Sequence, residues 1–456
     1  MNYQDFLENK TFVLASQGFD VDMSELNPHL FDYQRDIVRW ALAKGRAAVF
    51  TDCGTGKSLI ELEFGHQVHR HTGYDVLIVA PLSVVDQTRR EGEKFGIPVN
   101  VCASQNDVKP GLNITNYEKL EHFIAAKFGC IVLDESSILK SYSGKIRNQI
   151  ISCFTQTPYK LACTATPAPN DYMELGNHSE FLGVMTRPEM LSMFFVHDGG
   201  QTSKWRLKGH AESLYWQWMA SWAVFMDSPK TLGYGGEGFD LPPLNVHEVI
   251  VDSNMPIQET LTLTERRDAR RNTIALRCQK SVEIALSSGS QVIIWRGLNA
   301  EQDQLEELLG DQCFSIRGST PDAKKIEYER RWREGERLVL ITKPEIGAWG
   351  MNWQQCHTEI FTGLSDSYEQ YYQAVRRCWR FGQTEPVDVY IVISALEGCV
   401  KANIERKEAD SNKMKAEMVK YTKDITKKEL AKTCRLSTPY APQMEMRLPE
   451  WLQKTA

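Results

Sequence analysis

The sequence predicts an α/β protein of two tandem, doubly wound parallel-sheet lobes, with a helical insertion between them and a helical tail. Three observations point there. A short apolar strand, AAVF, runs into the glycine loop TDCGTGKS and then into the helical pattern LIELEFGHQVHRH, the context that a phosphate-binding loop requires. Apolar runs of strand length then alternate with helical stretches, the pattern of a parallel sheet covered on both faces. After a break of different character, a second such set opens near Val292.

Taken in order, the first helix is expected from about Tyr33 to Lys44, with Ile37, Val38, Trp40, Ala41 and Leu42 as its apolar residues and Gly45 as its stop. The strand and phosphate loop follow it. Further strands are read at VLIVA (76–80), LNIT (112–115), CIVLDE (130–135) and YKLACTAT (159–166). Residues 171–245 hold Trp205, Trp216, Trp218 and Trp222 and the glycine-rich GYGGEGFDLPPL, with no clear strand alternation. They read as an aromatic helical insertion closing in a turn-rich linker. VIIW (292–295), CFSIRG, RLVLIT, TEIFTG and VDVYIVI supply the second sheet. The tail is polar and helical, with eleven Lys or Arg against seven Asp or Glu from Glu397 to Arg435, which suits either a solvated face or a DNA-facing brace. The expected units are 1–170, 171–245, 246–400 and 401–456.

Composition narrows the class. A chain of 456 residues exceeds one ordinary core, and 42% hydrophobic with 25% charged residues is typical of a globular protein. The N-terminal MNYQDFLENK lacks an apolar run, and VLIVAPLSVV from Val76 is about half a membrane span, so a cytoplasmic location without membrane association is expected. The eleven cysteines never lie closer than ten residues apart, which argues for reduced thiols over a Cys-x-x-Cys site. His66, His69 and His71 have no acidic or cysteine companion that would make them a metal site. With a net charge of −6, an anionic partner must be met by a local basic surface.

In the loop, Gly54, Thr55 and Gly56 leave backbone N–H groups free to close around phosphate oxygens at a helix start. Lys57 would reach the β and γ phosphates and Ser58 would ligate Mg²⁺. CIVLDES ends a strand in Asp134 and Glu135, at the sheet edge where ligands gather. Asp134 would hold Mg²⁺ through its water shell, and Glu135 would orient and deprotonate the attacking water. Phe31, Tyr33 and Gln34 precede the loop by about twenty residues; an aromatic ring stacking on adenine and an amide pairing with its edge would select ATP.

TDCGTGKS, APLSVVDQ, ITNYEKL, VLDESS, TATPAPN, IRGST, GAWGMNW and QAVRRCWRFGQ occur in the order of the motifs of superfamily-two helicase-like ATPases. The last block and the GST of the second lobe look most like the Swi/Snf-related branch, and short chains of this kind resemble phage and prophage proteins. The resemblance spans roughly 25 to 400 and implies two RecA-like lobes using ATP and Mg²⁺ and acting on DNA. Two departures stand out: DESS in place of Ala and His after the acidic pair, and Arg376 where the last motif usually has glycine. The resemblance implies that Thr164 and Thr166 couple nucleotide state to lobe movement, and that Gly350 belongs with the nucleotide-binding set. It also implies sequence-independent DNA contacts from Ser83, Thr115, Asn116, Gly318, Ser319, Thr320 and Asn352, with Lys140, Lys145 and Arg147 adding charge.

SDSYEQYYQAVRRCWRFG reads as one helix, capped by Ser365 or Ser367 and ended by Gly382. Tyr368, Tyr372, Val375 and Trp379 would pack on their own lobe, leaving Gln373, Arg377 and Arg380 to face an anion. On lobe closure Arg377 and Arg380 would reach the γ phosphate, while Arg376 stays unassigned. The expected protein is a DNA-dependent ATPase that moves along DNA, monomeric when free. Two alternatives are a strand-separating fork or recombination helicase, and an ATP-gated DNA-binding module serving a nuclease or methyltransferase partner.

Overall fold

A computed structural model describes residues 17–168, 171–197, 205–236, 238–251, 268, 270–347, 352–365, 367–395 and 398–433. The first lobe contains strands β1 (Arg46–Thr51), β2 (Val76–Ala80), β3 (Val99–Val101), β4 (Leu112–Asn116), β5 (Cys130–Leu133) and β6 (Tyr159–Cys163). A short pair, β7 (Phe195–His197) and β8 (Trp205–Leu207), precedes β9 (Ala223–Met226). The second lobe contains β10 (Leu244–Ile250), β11 (Val292–Arg296), β12 (Cys313–Ser315), β13 (Val339–Thr342), β14 (Thr358–Thr362) and β15 (Val387–Ile393).

Each lobe is one parallel sheet. The orders are β3-β4-β2-β5-β6-β1-β9 and β10-β15-β14-β11-β13-β12, with every pairing inside them parallel. Side chains alternate across each sheet and build a core on both faces. Along β2, Val76, Ile78 and Ala80 enter one core, and Leu77 and Val79 the other. Ile293 and Trp295 against Val292 and Ile294 repeat this on β11. Strands buried on both faces read as continuous apolar runs, which is why the sequence marks them so clearly.

The stretch 171–245 adds a strand as well as helices. β9 pairs with β1 at the edge of the first sheet, and β7 and β8 form an antiparallel pair. Trp216, Trp218 and Trp222 are fully buried in the same core as Leu77 and Leu133, so this aromatic segment continues the first lobe.

The C-terminal helix Gly398–Thr433 joins the lobes. Val400 and Ile404 enter the core of the second lobe, whereas Met418 and Leu430 enter the two cores of the first. Tyr421 stacks on Trp216 at 5.7 Å, and Glu429 pairs with Lys44 at 3.2 Å. The polar tail is thus amphipathic, seated on both lobes through its few apolar residues. Among the described residues no helix is long and apolar enough to cross a membrane.

Candidate active site

Sheet order decides which loops meet. β1 delivers the glycine loop expected to bind phosphate, β5 delivers Asp134 and Glu135, and β6, which lies between them, delivers Thr164. All end at the same edge, as parallel strands require. Gly54 and Gly56 adopt left-handed φ values of 83° and 73°. The left-handed backbone demands glycine at position 56, and a Cβ there would also displace the Gln34 amide, whose Nε2 would lie 2.3 Å away.

The loop is held from below. Tyr33 donates its hydroxyl to Thr55 O at 2.7 Å and Gln34 Nε2 donates to the same carbonyl at 3.1 Å, while Phe31 N donates to Gln34 Oε1 at 2.9 Å. Tyr33 is only 2% exposed and serves the core, so its ring is not the open face that stacking on a base needs; that face belongs to Phe31, half exposed. Phe31 lies 5.9 Å from Phe239 and 6.4 Å from Phe381, an aromatic rim drawn from both lobes and their linker. Lys57 Nζ donates to Thr51 O (3.0 Å) and Asp52 O (3.1 Å), folded back on its own loop. Ser58 follows it in the first turn of the helix Lys57–Thr72.

Glu135 is the single non-glycine residue with positive φ, at 52°, among the described residues. Such strain persists where the surroundings fix it: Thr164 Oγ1 donates to Glu135 Oε2 at 3.2 Å, and Tyr117 OH donates to Asp134 O at 2.6 Å. Burial, together with the charge of Glu135, raises the Asp134 carboxyl to about 7. Glu61 is fully buried, and burial with the charge of Asp134 beside it raises its carboxyl as well. Carboxylates crowded against the ammonium of Lys57 are the donor set that a divalent cation relieves. Among the described residues no group of three or more His, Cys, Asp or Glu side chains is placed to hold a metal ion, so a Mg²⁺ at Asp134 and Ser58 would draw most of its shell from phosphate and water.

The segment after the acidic pair meets a histidine from elsewhere: Ser136 Oγ lies 3.1 Å from Nε2 of the fully buried His178. Burial lowers His178 from the usual 6.5 to about 4. The unfolded chain binds that proton first, so this stability is present above pH 6.5 and lost as the pH falls toward 4, by about 2 kcal/mol at pH 5. Urea midpoints at about pH 7.5 and about pH 5 should therefore differ less for His178→Gln than for the wild type. An equal shift in both would remove His178 as the source.

The arginine segment departs from the expected single helix. The helix runs only from Tyr368 to Val375, capped by Ser367, which accepts from Gln370 N. Beyond it the chain turns inward: Arg377 N donates to Ala374 O, and Arg377 O accepts from Trp353 N at 3.0 Å. A helical stripe through Arg380 therefore does not exist, and the arginines diverge. Arg377 is 3% exposed and donates to Gln373 O and Gln373 Oε1, both at 2.9 Å, within its own lobe. Arg380 is half-buried; burial, and next the like charge of Arg377, lowers it to about 10, with Cys53 of the phosphate loop partly offsetting this. Arg376, which the sequence leaves without a role, touches the loop directly. Its Nη2 is 3.0 Å from Asp52 Oδ2 and 3.0 Å from Cys53 O. Tyr372, expected to pack inward, donates its hydroxyl to Asp52. The arginine in place of the usual glycine was the available clue.

Between the lobes lies a cleft of about 1080 Å³ lined by Ser83, Lys140, Lys145, Arg147, Asn352 and Glu135. Thr115 and Asn116 are buried instead, Asn116 Oδ1 accepting from Lys119 N. Gly318 and Ser319 are exposed away from that lining, and Thr320 Oγ1 accepts from Arg317 N. Lys140 pairs across the lobes with Glu369. Thr166 Oγ1, at 3.5 Å, also approaches Glu369, and Thr166 N donates to Thr164 Oγ1. Gly350 lies outside the described residues.

Residues 277–382 match the helicase conserved C-terminal domain. No curated protein matches the chain. Among solved structures, the chain is similar to the Sulfolobus solfataricus SWI2/SNF2 ATPase core in complex with dsDNA, at 16% identity over 92% of this chain and 99% of that one, TM-score 0.42. It is also similar to S. cerevisiae Dbp5 bound to RNA and ADP BeF3, at 13% identity over 89% and 93%, TM-score 0.54. The two parallel-sheet lobes share the tandem RecA-like fold of the Dbp5 structure.

Proposed function

We propose that the chain is a superfamily-two helicase-like ATPase of the Swi/Snf-related branch, in which DNA-dependent ATP hydrolysis drives movement along DNA. The observation that carries this reading is the meeting of an arginine turn of the second lobe with the phosphate loop of the first, at the sheet edge that also bears Asp134 and Glu135. Hydrolysis confined to one lobe would need no such meeting. The helicase C-terminal match over the second lobe supports the same class.

In this reading Lys57 exchanges the carbonyls of Thr51 and Asp52 for phosphate oxygens, and Ser58 and Asp134 hold Mg²⁺. Bound Mg²⁺ neutralises charge that develops on the phosphoryl oxygens. Glu135, fixed by Thr164, aligns the attacking water, and Arg380 supplies positive charge from the opposite lobe. The run from Glu135 through Thr164 and Thr166 to Glu369 and Lys140 gives hydrolysis a hydrogen-bonded route to the cleft.

DNA is the polymer favoured by the Swi/Snf-like motif blocks, and Ser83, Lys140, Lys145 and Asn352 are its proposed contacts. The cleft's lining has seven basic and seven acidic side chains, so phosphate is attracted by local placement rather than overall charge. The test is the ATPase rate with no nucleic acid, single-stranded DNA, duplex DNA, forked DNA and single-stranded RNA. Stimulation by duplex or forked DNA is expected. Equal rates in all five conditions would end the reading, and stimulation by RNA alone would reassign the polymer.

A further inference from the structure

We propose that Arg376 and Asp52 form a latch between the lobes: a positioning pair through which the second lobe fixes the phosphate loop and brings Arg380 into register beside it. The inference rests on the phosphate loop serving ATP and adds how that loop is regulated. Four side chains converge on this point from three parts of the chain. Asp52 belongs to the phosphate loop, Arg376 and Tyr372 to the arginine segment, and Lys415 to the C-terminal helix. Arg376 lies 3.0 Å from the Asp52 carboxylate, Lys415 lies 3.8 Å from it, and Lys415 Nζ donates to Tyr372 OH at 2.9 Å. The Arg376 guanidinium also sits 5.0 Å from the Trp379 ring, which limits the directions it can take.

An ordinary surface ion pair would be worth little, but this one differs in two respects. Arg376 is 5% exposed, so its charge left without Asp52 is costly. It also donates to the main-chain oxygen of Cys53, within the segment whose neighbouring Asp52 oxygen accepts from Lys57. The backbone at Asp52 and Cys53 is therefore gripped from both sides: by Lys57, which binding of phosphate would draw away, and by Arg376, which binding leaves in place. Glycine at position 376 could do neither. Burial opposes ionisation of Asp52, but Arg376, Lys415 and Tyr372 together hold its carboxyl down at about 2. The latch therefore stays charged over the whole range in which enzymes are assayed.

The experiment compares full-length wild type with Asp52→Asn, Arg376→Gln, the double variant and Arg376→Lys. It measures kcat and KM for ATP, binding of a fluorescent ATP analogue, and the radius of gyration of the nucleotide-free protein by X-ray scattering. Each single variant should expand the free protein and lower kcat by a factor within the roughly 5–150 seen for coupled sites, while retaining analogue binding. The double variant should be no worse than either single, and Arg376→Lys should recover part of the loss, since a lysine keeps the charge but not the fixed guanidinium geometry that reaches both Asp52 and Cys53. Losses that multiply in the double variant, or an unchanged radius with kcat within twofold of wild type, would overturn the latch. Asp52→Asn is isosteric and decides the matter if Arg376→Gln does not fold. Failure of the wild type to bind the analogue would refute the ATPase reading instead, and the scattering of the nucleotide-free variants would still judge the latch.

Discussion

Glu135→Gln is expected to lower ATP hydrolysis by about 10²–10⁴-fold with nucleotide binding retained, the range over which a positioned general base acts. The structure favours a clean outcome. The amide has the shape of the carboxylate, and its oxygen can still accept from Thr164 Oγ1, so the left-handed backbone at Glu135 keeps its support. What disappears is the basic oxygen that takes the proton from water. Phosphate release in steady state, set beside analogue binding, measures the separation. A rate within tenfold of wild type would remove Glu135 from the chemistry.

Arg380→Ala should cost about 10³–10⁵-fold in the stimulated rate, the effect of withdrawing an arginine from the developing charge in phosphoryl transfer. Arg377→Ala should differ in kind. The Arg377 guanidinium is packed inside its own lobe, where it donates to Gln373 O and Gln373 Oε1, so its loss should lower the unfolding temperature as well as the rate. Arg380 is half-buried at the interface and should leave that temperature nearly unchanged. If Arg380→Ala reduced the stimulated and unstimulated rates equally and by less than tenfold, the finger role would be refuted.

Much of the fold, and the meeting of the glycine loop with the acidic pair at one sheet edge, was legible in the residues. Parallel strands buried on both faces must be apolar throughout, so β1, β2 and β5 announce themselves, and a glycine loop between strand and helix presents its backbone N–H groups to an anion. The acidic pair was legible for the same reason, since it terminates one of those runs. Direction was not legible. An uninterrupted 3–4 spacing from Tyr368 to Trp379 favours a continuous helix, but the helix ends at Val375, where Arg377 O accepts from Trp353 N, and that turn decides which arginine meets the loop. Tyr33 shows the same limit: its place beside Gln34 suggested the base, whereas the nearby carbonyl of Thr55 claims its hydroxyl. Four tryptophans between 205 and 222 read as a separate insertion because β9 is only four residues long and its partner β1 lies far back in the sequence.

The C-terminal helix limits how the lobes can move. It is 36 residues long, about 54 Å at 1.5 Å per residue, and it is embedded in one lobe at Val400 and Ile404 and in the other at Met418 and Leu430. Pulling the lobes straight apart would expose one of those anchorages to water, whereas swivelling them around the rod would leave both seated. Lobe movement would therefore follow two plates on a common axle more than a pair of jaws, with most of the distance travelled at the rim of the cleft and little of it beside the helix.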